Sequence, residues 1–211
     1  MDRDTMVRRE SYEEILGRFG AGEIDILLGT QMVAKGLDFP EVTVVGVLNA
    51  DVALHHPDFR ASERCFNLVS QVSGRAGRGS RKGRVIVQTW LPEHAAIQAA
   101  VHHDYRGFAE RELTERFEFS YPPAVRGARV QLEGSDPRKL EVVAEAAARE
   151  LKAAAGKGCE VLGPAIPPVE RLKGRYRRQI LVKMAQTEAL DPLLKVLYDL
   201  CQRQGVAVDP L

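Results

Sequence analysis

The sequence predicts an α/β chain in two parts, a parallel-sheet part over residues 1–91 and a smaller α+β part over 124–211. Three observations carry this expectation. Two apolar runs, Ile24-Asp-Ile-Leu-Leu28 and Val42-Thr-Val-Val-Gly-Val-Leu48, suit parallel strands buried on both faces, which need no alternation. Stretches with a helical period alternate with such runs, the pattern of a parallel α/β sheet. At Tyr121-Pro-Pro123, proline removes a backbone donor and restricts the residue before it, which places a domain boundary.

Taken in order, a capping box at Ser11-Tyr-Glu-Glu14 opens a first helix with Ile15, Leu16 and Phe19 on its buried side. Strands are expected at 24–29 and 42–49, an irregular segment at 50–60, a helix at 61–73 and a strand at 84–90. Pro92, at a first helical position, opens a bridging helix whose Ile97, Val101, Tyr105 and Phe108 make one apolar stripe. That helix and a Pro-rich linker fill 92–123. Beyond them, a strand over 126–133 meets Ser135-Asp136-Pro137, a cap followed by proline in the first turn. The next helix carries Leu140, Val143, Ala144, Ala147 and Leu151 on one face and ends at Gly156 or Gly158. A short strand at 160–162, a Pro-rich loop and a strand at 178–184 follow. Asp191-Pro192 caps a second amphipathic helix with Leu193, Leu197 and Leu200 inward; Gly205 ends it, and 206–208 is the last strand. This βαββαβ order is that of a ferredoxin-like, split βαβ sandwich.

At 211 residues, the chain is long enough for one large domain or two small ones. Its 45% hydrophobic and 28% charged fractions are those of an ordinary globular protein. A net charge of +1 leaves any nucleic-acid role to local patches. Cys65, Cys159 and Cys201 form no CxxC pair, which excludes a four-cysteine zinc site within the chain and suits reduced thiols in a cytoplasmic setting. No signal peptide and no membrane-spanning run is visible. His55-His56 and His102-His103 point apart within each pair, without a carboxylate at ligand spacing, so no metal site is expected.

The segment Gln-Val-Ser-Gly-Arg-Ala-Gly-Arg-Gly, residues 71–79, sets Arg75 and Arg78 among glycines just after a helix. Five basic residues (Arg75, Arg78, Arg81, Lys82, Arg84) and no acid fall between 71 and 84. A guanidinium offers forked donors that match phosphate oxygens, and glycines keep the backbone bare enough for a triphosphate to approach. The same residues also fit a helix C-cap followed by a solvated basic turn. Upstream, Gly29-Thr-Gln-Met-Val-Ala-Lys-Gly-Leu-Asp-Phe-Pro40 is a polar loop at the end of an expected strand, where open α/β sheets bind ligands.

Together these segments resemble motifs V and VI of superfamily 2 helicases, in the second RecA-like lobe. The wording GTQMVAKGLDFPEVTVVGVLNAD (29–51), PDFRASER (57–64) and QVSGRAGRG (71–79) resembles, more particularly, the primosomal protein N′ family of replication-restart helicases. The resemblance runs from Asp2-Arg-Asp-Thr to the closing Val208-Asp-Pro. It implies a partial RecA-like lobe, truncated at its start, that completes an ATP and Mg2+ site between two lobes of a longer protein. Arg78 would then be the arginine finger, Arg75 a second γ-phosphate or inter-lobe contact, and Gln71 an amide orienting that network. Arg75 also fits a structural salt bridge to a motif V acid. In motif V, Gly36 would permit a tight turn, and Asp38 would touch the ribose hydroxyl or a motif VI arginine. Thr30, Gln31 and Lys35 would meet DNA, although Lys35 also fits a solvated lysine. Asp51 and Asp58-Phe59-Arg60 match a family-typical stretch expected to brace the two motifs.

The family's zinc modules, Walker A loop and acidic metal-binding motif lie ahead of Asp2-Arg-Asp-Thr and are absent from this sequence. The chain is therefore expected to be the C-terminal part of a longer protein, a fragment or a split reading frame, and unable to hydrolyse ATP alone. In the second part, Arg171, Lys173, Arg175, Arg177, Arg178 and Lys183 gather with Tyr176 and no acid. Such a loop suits phosphate binding and base stacking, with Arg177 toward DNA, or else an exposed strand edge guarded by charge. The resemblance adds the acidic tail of single-stranded DNA-binding protein (SSB), which family members dock with an arginine and a glutamine four apart. Arg175 and Gln179 match that pair, with Tyr176 and Arg178 where some relatives carry tryptophans. The implied partners are branched or single-stranded DNA, SSB and primosome proteins, for a cytoplasmic, nucleoid-associated 3′→5′ DNA helicase acting at stalled forks. A second reading is a non-catalytic DNA- or SSB-tail-binding module. A third is another helicase or a transcription-coupled translocase that shares motif VI.

Overall fold

A computed structural model describes residues 9–29, 39–74, 82–185, 191–203 and 205–211. The chain is α/β and divides into two units, Met1–Glu110 and Arg111–Leu211.

In the first unit, α1 (Arg9–Gly20) begins two residues ahead of the expected capping box and half-buries Ile15, Leu16 and Phe19. The Phe19 ring stands edge-on to Phe39, with centroids 4.8 Å apart. Residues 24–29, expected as a strand, are irregular. Among the described residues, this unit's sheet consists of β1 (Val44–Val47) and β2 (Arg84–Val87), paired parallel from Val44↔Arg84 to Val47↔Val87. Both strands are shorter than expected, and their burial alternates. Val47 is buried and Val45 and Val87 pack against the core, whereas Val44 (58% exposed) and Ile86 (53%) face outward. The apolar composition implied two covered faces; the described residues cover one.

A short helix, α2 (Asp51–Leu54), lies within the stretch expected to be irregular. α3 (Ala61–Ser73) forms where its apolar spacing predicts, burying Ala61, Cys65, Phe66, Val69 and Val72 on one face. It packs with α4 (Ala95–Val101), whose Ala96, Ile97, Ala99 and Ala100 are buried, and with Phe108 of α5 (Tyr105–Glu118). The Phe66 and Phe108 rings stack with centroids 4.4 Å apart. The single bridging helix expected from Pro92 is thus two helices. His103 takes a left-handed φ of 55°, which ends a helix, and the Asp104 carboxylate accepts the N–H of Gly107 at 2.8 Å to start the next. The break leaves Val101 and Tyr105 exposed, so Ile97 and Phe108 alone of the four stripe residues are buried.

The second unit follows strict alternation. β3 (Val125–Gly134) and β6 (Arg175–Ala185) pair antiparallel along their length, and bury Ala128, Val130, Leu132, Ile180, Val182 and Met184 on one face. β4 (Cys159–Ala165) flanks β6, and β7 (Val206–Pro210) flanks β3, giving the order β4–β6–β3–β7 of a split βαβ sandwich. A two-residue strand, β5 (Arg171–Leu172), forms a hairpin with the start of β6, which therefore begins earlier than expected. α6 (Pro137–Ala154) starts at Asp136, whose carboxylate accepts the N–H groups of Arg138 and Lys139. It turns Leu140, Ala144, Ala147, Ala148 and Leu151 inward, while Val143 faces solvent, and it stops before Gly156. α7 (Asp191–Cys201) buries Leu193, Leu197 and Leu200 as expected. The helices cover one face of this sheet. Among the described residues, no helix is long and apolar enough to cross a membrane.

Candidate functional site

Thr30, Gln31, Lys35, Gly36, Asp38, Arg75 and Arg78 lie outside the described residues. The structure describes the segments that follow them in sequence. The chain leaves β1 toward Asp51 and β2 toward Thr89 and Trp90, so these two exits lie at the C-terminal ends of the parallel strands. Asp51, 4% exposed, ties the two exits together by accepting the Thr89 hydroxyl at 2.8 Å and the Trp90 N–H at 3.0 Å. Its own carbonyl accepts the His55 N–H at 2.8 Å. Burial pushes the Asp51 carboxyl up, but the Trp90 and Thr89 hydrogen bonds and the nearby His55 outweigh it and hold the group below its ordinary value.

Asp58 braces the start of α3. It accepts the Arg60 N–H at 3.0 Å and the Arg64 guanidinium at 2.7 Å. Burial raises its pKa, and these partners more than reverse the effect. The 51–64 segment is thereby tied to the start of α3, whose last turn carries the exposed Gln71. Cys65 is fully buried, and burial together with Asp51 pushes its thiol up to about 11, so it packs and does not react.

In the second unit, alternation along β6 sends Arg175, Arg177, Gln179 and Lys183 to the open face of the sheet and Arg178 to the helix side. Arg178, 6% exposed, reaches Glu141 of α6 at 2.5 Å and Glu170 at 3.3 Å. Its pKa is raised, first by the Glu141 hydrogen bond, against a smaller opposing effect of burial. On the open face, Arg175 donates to the carbonyl of Glu133 at 3.1 Å. Arg177 donates to Gln131 Oε1 and to the Val169 carbonyl. The Glu133 carboxylate stands 3.7 Å from Arg175 Nε and 3.6 Å from Arg177 Nε, and Gln131 Nε2 donates to it at 3.1 Å. Gln179 lies opposite Gln131 in the register. Lys183 donates to the Phe119 carbonyl at 3.0 Å and sits 4.2 Å over the Tyr121 ring, while the Arg171 guanidinium covers Tyr176.

Two expectations are corrected here. The 171–183 segment holds no acid of its own, but Glu133, Glu141 and Glu170 reach its arginines from other elements, so its charge is not uncompensated. β6 lies between β4 and β3, so the segment from 175 onward is an interior strand and not a charged edge. Sequence reading missed Gln131, Glu133, Glu141 and Thr89, which act only across strands and between elements. The one available signal was the β3 alternation, which puts Gln131 and Glu133 on the face opposite Val130 and Leu132.

Residues 4–80 match the helicase conserved C-terminal domain, and residues 117–211 match the primosomal protein N C-terminal domain. The class is thus a helicase C-terminal lobe followed by a primosomal C-terminal domain. Replication restart protein PriA of Bacillus subtilis is 48% identical over 204 residues, covering 97% of this chain and 25% of that protein. The PriA proteins of Synechocystis (39% identical, 100% of this chain, 26% of that protein) and Treponema pallidum (44%, 87% and 28%) are also similar. The chain belongs to the replication restart protein PriA family. It spans about a quarter of the length of the curated relatives it matches.

Proposed function

We propose that this chain is the C-terminal part of an ATP-dependent 3′→5′ DNA helicase of replication restart and primosome assembly, working in the cytoplasm on branched or single-stranded DNA. The observation that carries the reading is the 48% identity to a replication restart protein, spread over 97% of the chain and so over both matched domains. In this proposal residues 1–91 form the second helicase lobe, 92–123 the bridging segment and 124–211 the C-terminal domain. Arg78 stabilises the charge that develops on the transferring phosphoryl group, Arg75 makes a second phosphate or inter-lobe contact, and Gln71 orients both. Gly36 and Asp38 line the nucleotide, while Thr30, Gln31 and Lys35 hold a DNA phosphate. The hydrogen bonds of Asp51 to Thr89 and Trp90, and of Asp58 to Arg64, are consistent with the bracing role expected of the 51–64 stretch.

Among the described residues, no three His, Cys, Asp or Glu side chains gather as metal donors. In this proposal Mg2+ is bound with ATP in the complete enzyme, and the family's zinc by modules outside this sequence. The second unit supplies docking: Arg175 and Gln179 share one face of β6, as a common ligand such as the SSB tail requires, with Arg177 between them toward DNA.

A chimera tests the catalytic reading. Residues 1–211 replace the matching quarter of the Bacillus subtilis relative, and DNA-stimulated ATP turnover is measured. The chimera is expected to turn over ATP, and Arg78→Ala to lower the rate by roughly 10³-fold with little change in nucleotide affinity, because a finger acts on the transition state. The isolated chain is expected to hydrolyse none. Loss of affinity alone, with saturated turnover intact, would remove Arg78 from the finger role.

A further inference from the structure

The ion pairs of the second unit fall into two kinds. Arg178 meets Glu141 at 2.5 Å, and Arg203 meets Glu150 at 2.8 and 3.0 Å, distances of close charge-assisted hydrogen bonds. Glu133 is different. Its carboxylate lies between two guanidinium groups yet stands 3.7 Å from Arg175 and 3.6 Å from Arg177, too far for a hydrogen bond to either Nε. Arg177 Nε is moreover a buried donor without a hydrogen-bond partner, although its side chain is otherwise engaged by Gln131 and Val169. A buried guanidinium donor left unsatisfied is costly, and a closer acceptor would remove that cost.

The backbone around Glu133 is fixed independently of its carboxylate. Its N–H donates to the Gly205 carbonyl at 2.7 Å, and its own carbonyl accepts Arg175 Nη2 at 3.1 Å. Gly205 permits this approach: its φ is +79°, and a Cβ there would lie 2.6 Å from the Glu133 oxygen. The Glu133 side chain can therefore swing away by rotation about its own bonds, giving up the Gln131 Nε2 hydrogen bond at 3.1 Å and the two longer ion pairs, while the strands stay paired. When it leaves, Arg175, Arg177 and Gln179 remain on one open face, with Arg177 Nε and Arg175 Nε freed from its carboxylate.

We propose that Glu133 is the specificity-determining residue of this face: its carboxylate is a loosely held stand-in for the ligand, and a peptide bearing adjacent carboxylates displaces it from Arg175 and Arg177. The inference deepens the docking role proposed for Arg175 and Gln179 and rests on that reading. A resident carboxylate marks the chemistry the site accepts. It also sets a threshold, since a ligand with one weakly placed charge gains nothing by exchanging with Glu133, whereas consecutive carboxylates engage both arginines at closer range. The face carries no aromatic side chain from β3 or β6 on which a base could stack, because Tyr176 packs toward the core under Arg171.

The test uses the full 211-residue chain and a labelled peptide of consecutive aspartates with a free C-terminus, with fluorescence anisotropy as the readout. Glu133→Gln keeps the side chain's shape and its acceptor for Gln131. It is expected to bind the peptide about fivefold more tightly, the size of a half-exposed ion pair that no longer has to be broken. Adding Arg175→Gln to Glu133→Gln should abolish the gain. Asp209→Asn removes the same charge from the same face, where the carboxylate is held by Arg129 at 3.1 Å, and should change binding by less than about twofold because distant exposed charges are screened. If the unmodified chain binds and Glu133→Gln binds no better, the stand-in role is wrong while Arg175 docking survives. Absence of binding in both proteins overturns the two together. An equal gain in Asp209→Asn reduces the effect to net charge and overturns the assignment, as does a gain for an oligo(dT) probe that the peptide does not share.

Discussion

In the second unit, β3 and β6 run side by side from Val125↔Ala185 to Gly134↔Tyr176, and α6 and α7 cover one face with a continuous layer of Leu, Ala and Val. In the first, β1 and β2 share four residue pairs, and the buried mass lies in α3, α4 and the start of α5. The contrast teaches where each unit keeps its stability. The second closes a core from its own alternating strands, while the first rests on helix packing plus two carboxylates that tie polar segments together. The second sheet can therefore leave a polar face open for binding, whereas the first uses its polar groups to hold its loops.

The largest test of this contrast is a cavity. Leu132, 1% exposed on the inward face of β3, should cost the second unit about 2–5 kcal/mol when cut to alanine, since the surrounding layers cannot collapse onto the gap. Ile86→Ala, at a position 53% exposed on β2, should cost far less. The single tryptophan, Trp90, lies in the first unit, so its fluorescence during urea unfolding isolates that unit while circular dichroism follows both. Leu132→Ala should move the dichroism transition and leave the Trp90 transition in place. Equal movement of both would mean that the units unfold as one.

The same contrast explains how much was legible in the sequence. In the second unit, period-two alternation and capped amphipathic helices state the fold locally, and the βαββαβ order followed from them. α3 was equally legible, because its apolar residues recur at helical spacing. The strand expected at 24–29 is instead irregular, with Ile26 and Leu28 exposed, because an apolar run alone names no partner strand to pair with and pack against. The bridging helix failed because apolar spacing carries across a short break, whereas His103 and the Asp104 cap end one helix and start another. At the site, β6 alternation put Arg175, Arg177 and Gln179 on one face. Glu133 and Gln131 were invisible as partners because they lie on another strand, brought opposite only by the register.

The next test sharpens the role of the carboxylates in the first unit. Asp51 and Asp58 both have folded-state values held below the ordinary 3.8, Asp51 through Trp90, Thr89 and His55 against the raising effect of burial. A depressed carboxyl contributes stability that is present above its unfolded value and is lost as pH falls through its folded one. The Trp90 unfolding midpoint should therefore decline as pH drops below 3.8. Asp51→Asn should lower that midpoint at neutral pH and flatten its acid dependence, so that mutant and wild type converge in acid. A mutant midpoint that stayed parallel to wild type at every pH would take Asp51's charge out of the tie between the strand exits.

The smallest expected effect lies on the surface of the second unit, and it bounds what exposed pairs add to a core of this kind. Arg203 donates to both oxygens of Glu150 at 3.0 and 2.8 Å, joining the end of α7 to α6. The Arg203 hydrogen bond is the main reason the Glu150 carboxyl sits below its ordinary value, with burial opposing it. Both side chains are more than two-fifths exposed, at 45% and 41%, so water and salt screen most of that attraction. Bidentate geometry argues for the upper end of the range for exposed pairs, about 1 kcal/mol, and exposure argues against anything larger. Glu150→Gln should accordingly shift the dichroism transition by a small fraction of the Leu132→Ala shift, and 1 M salt should erase most of the difference, because the Debye length falls there to about 3 Å. A loss comparable to Leu132→Ala would mean that the helix layer depends on this pair, and that the core does not hold the second unit by itself.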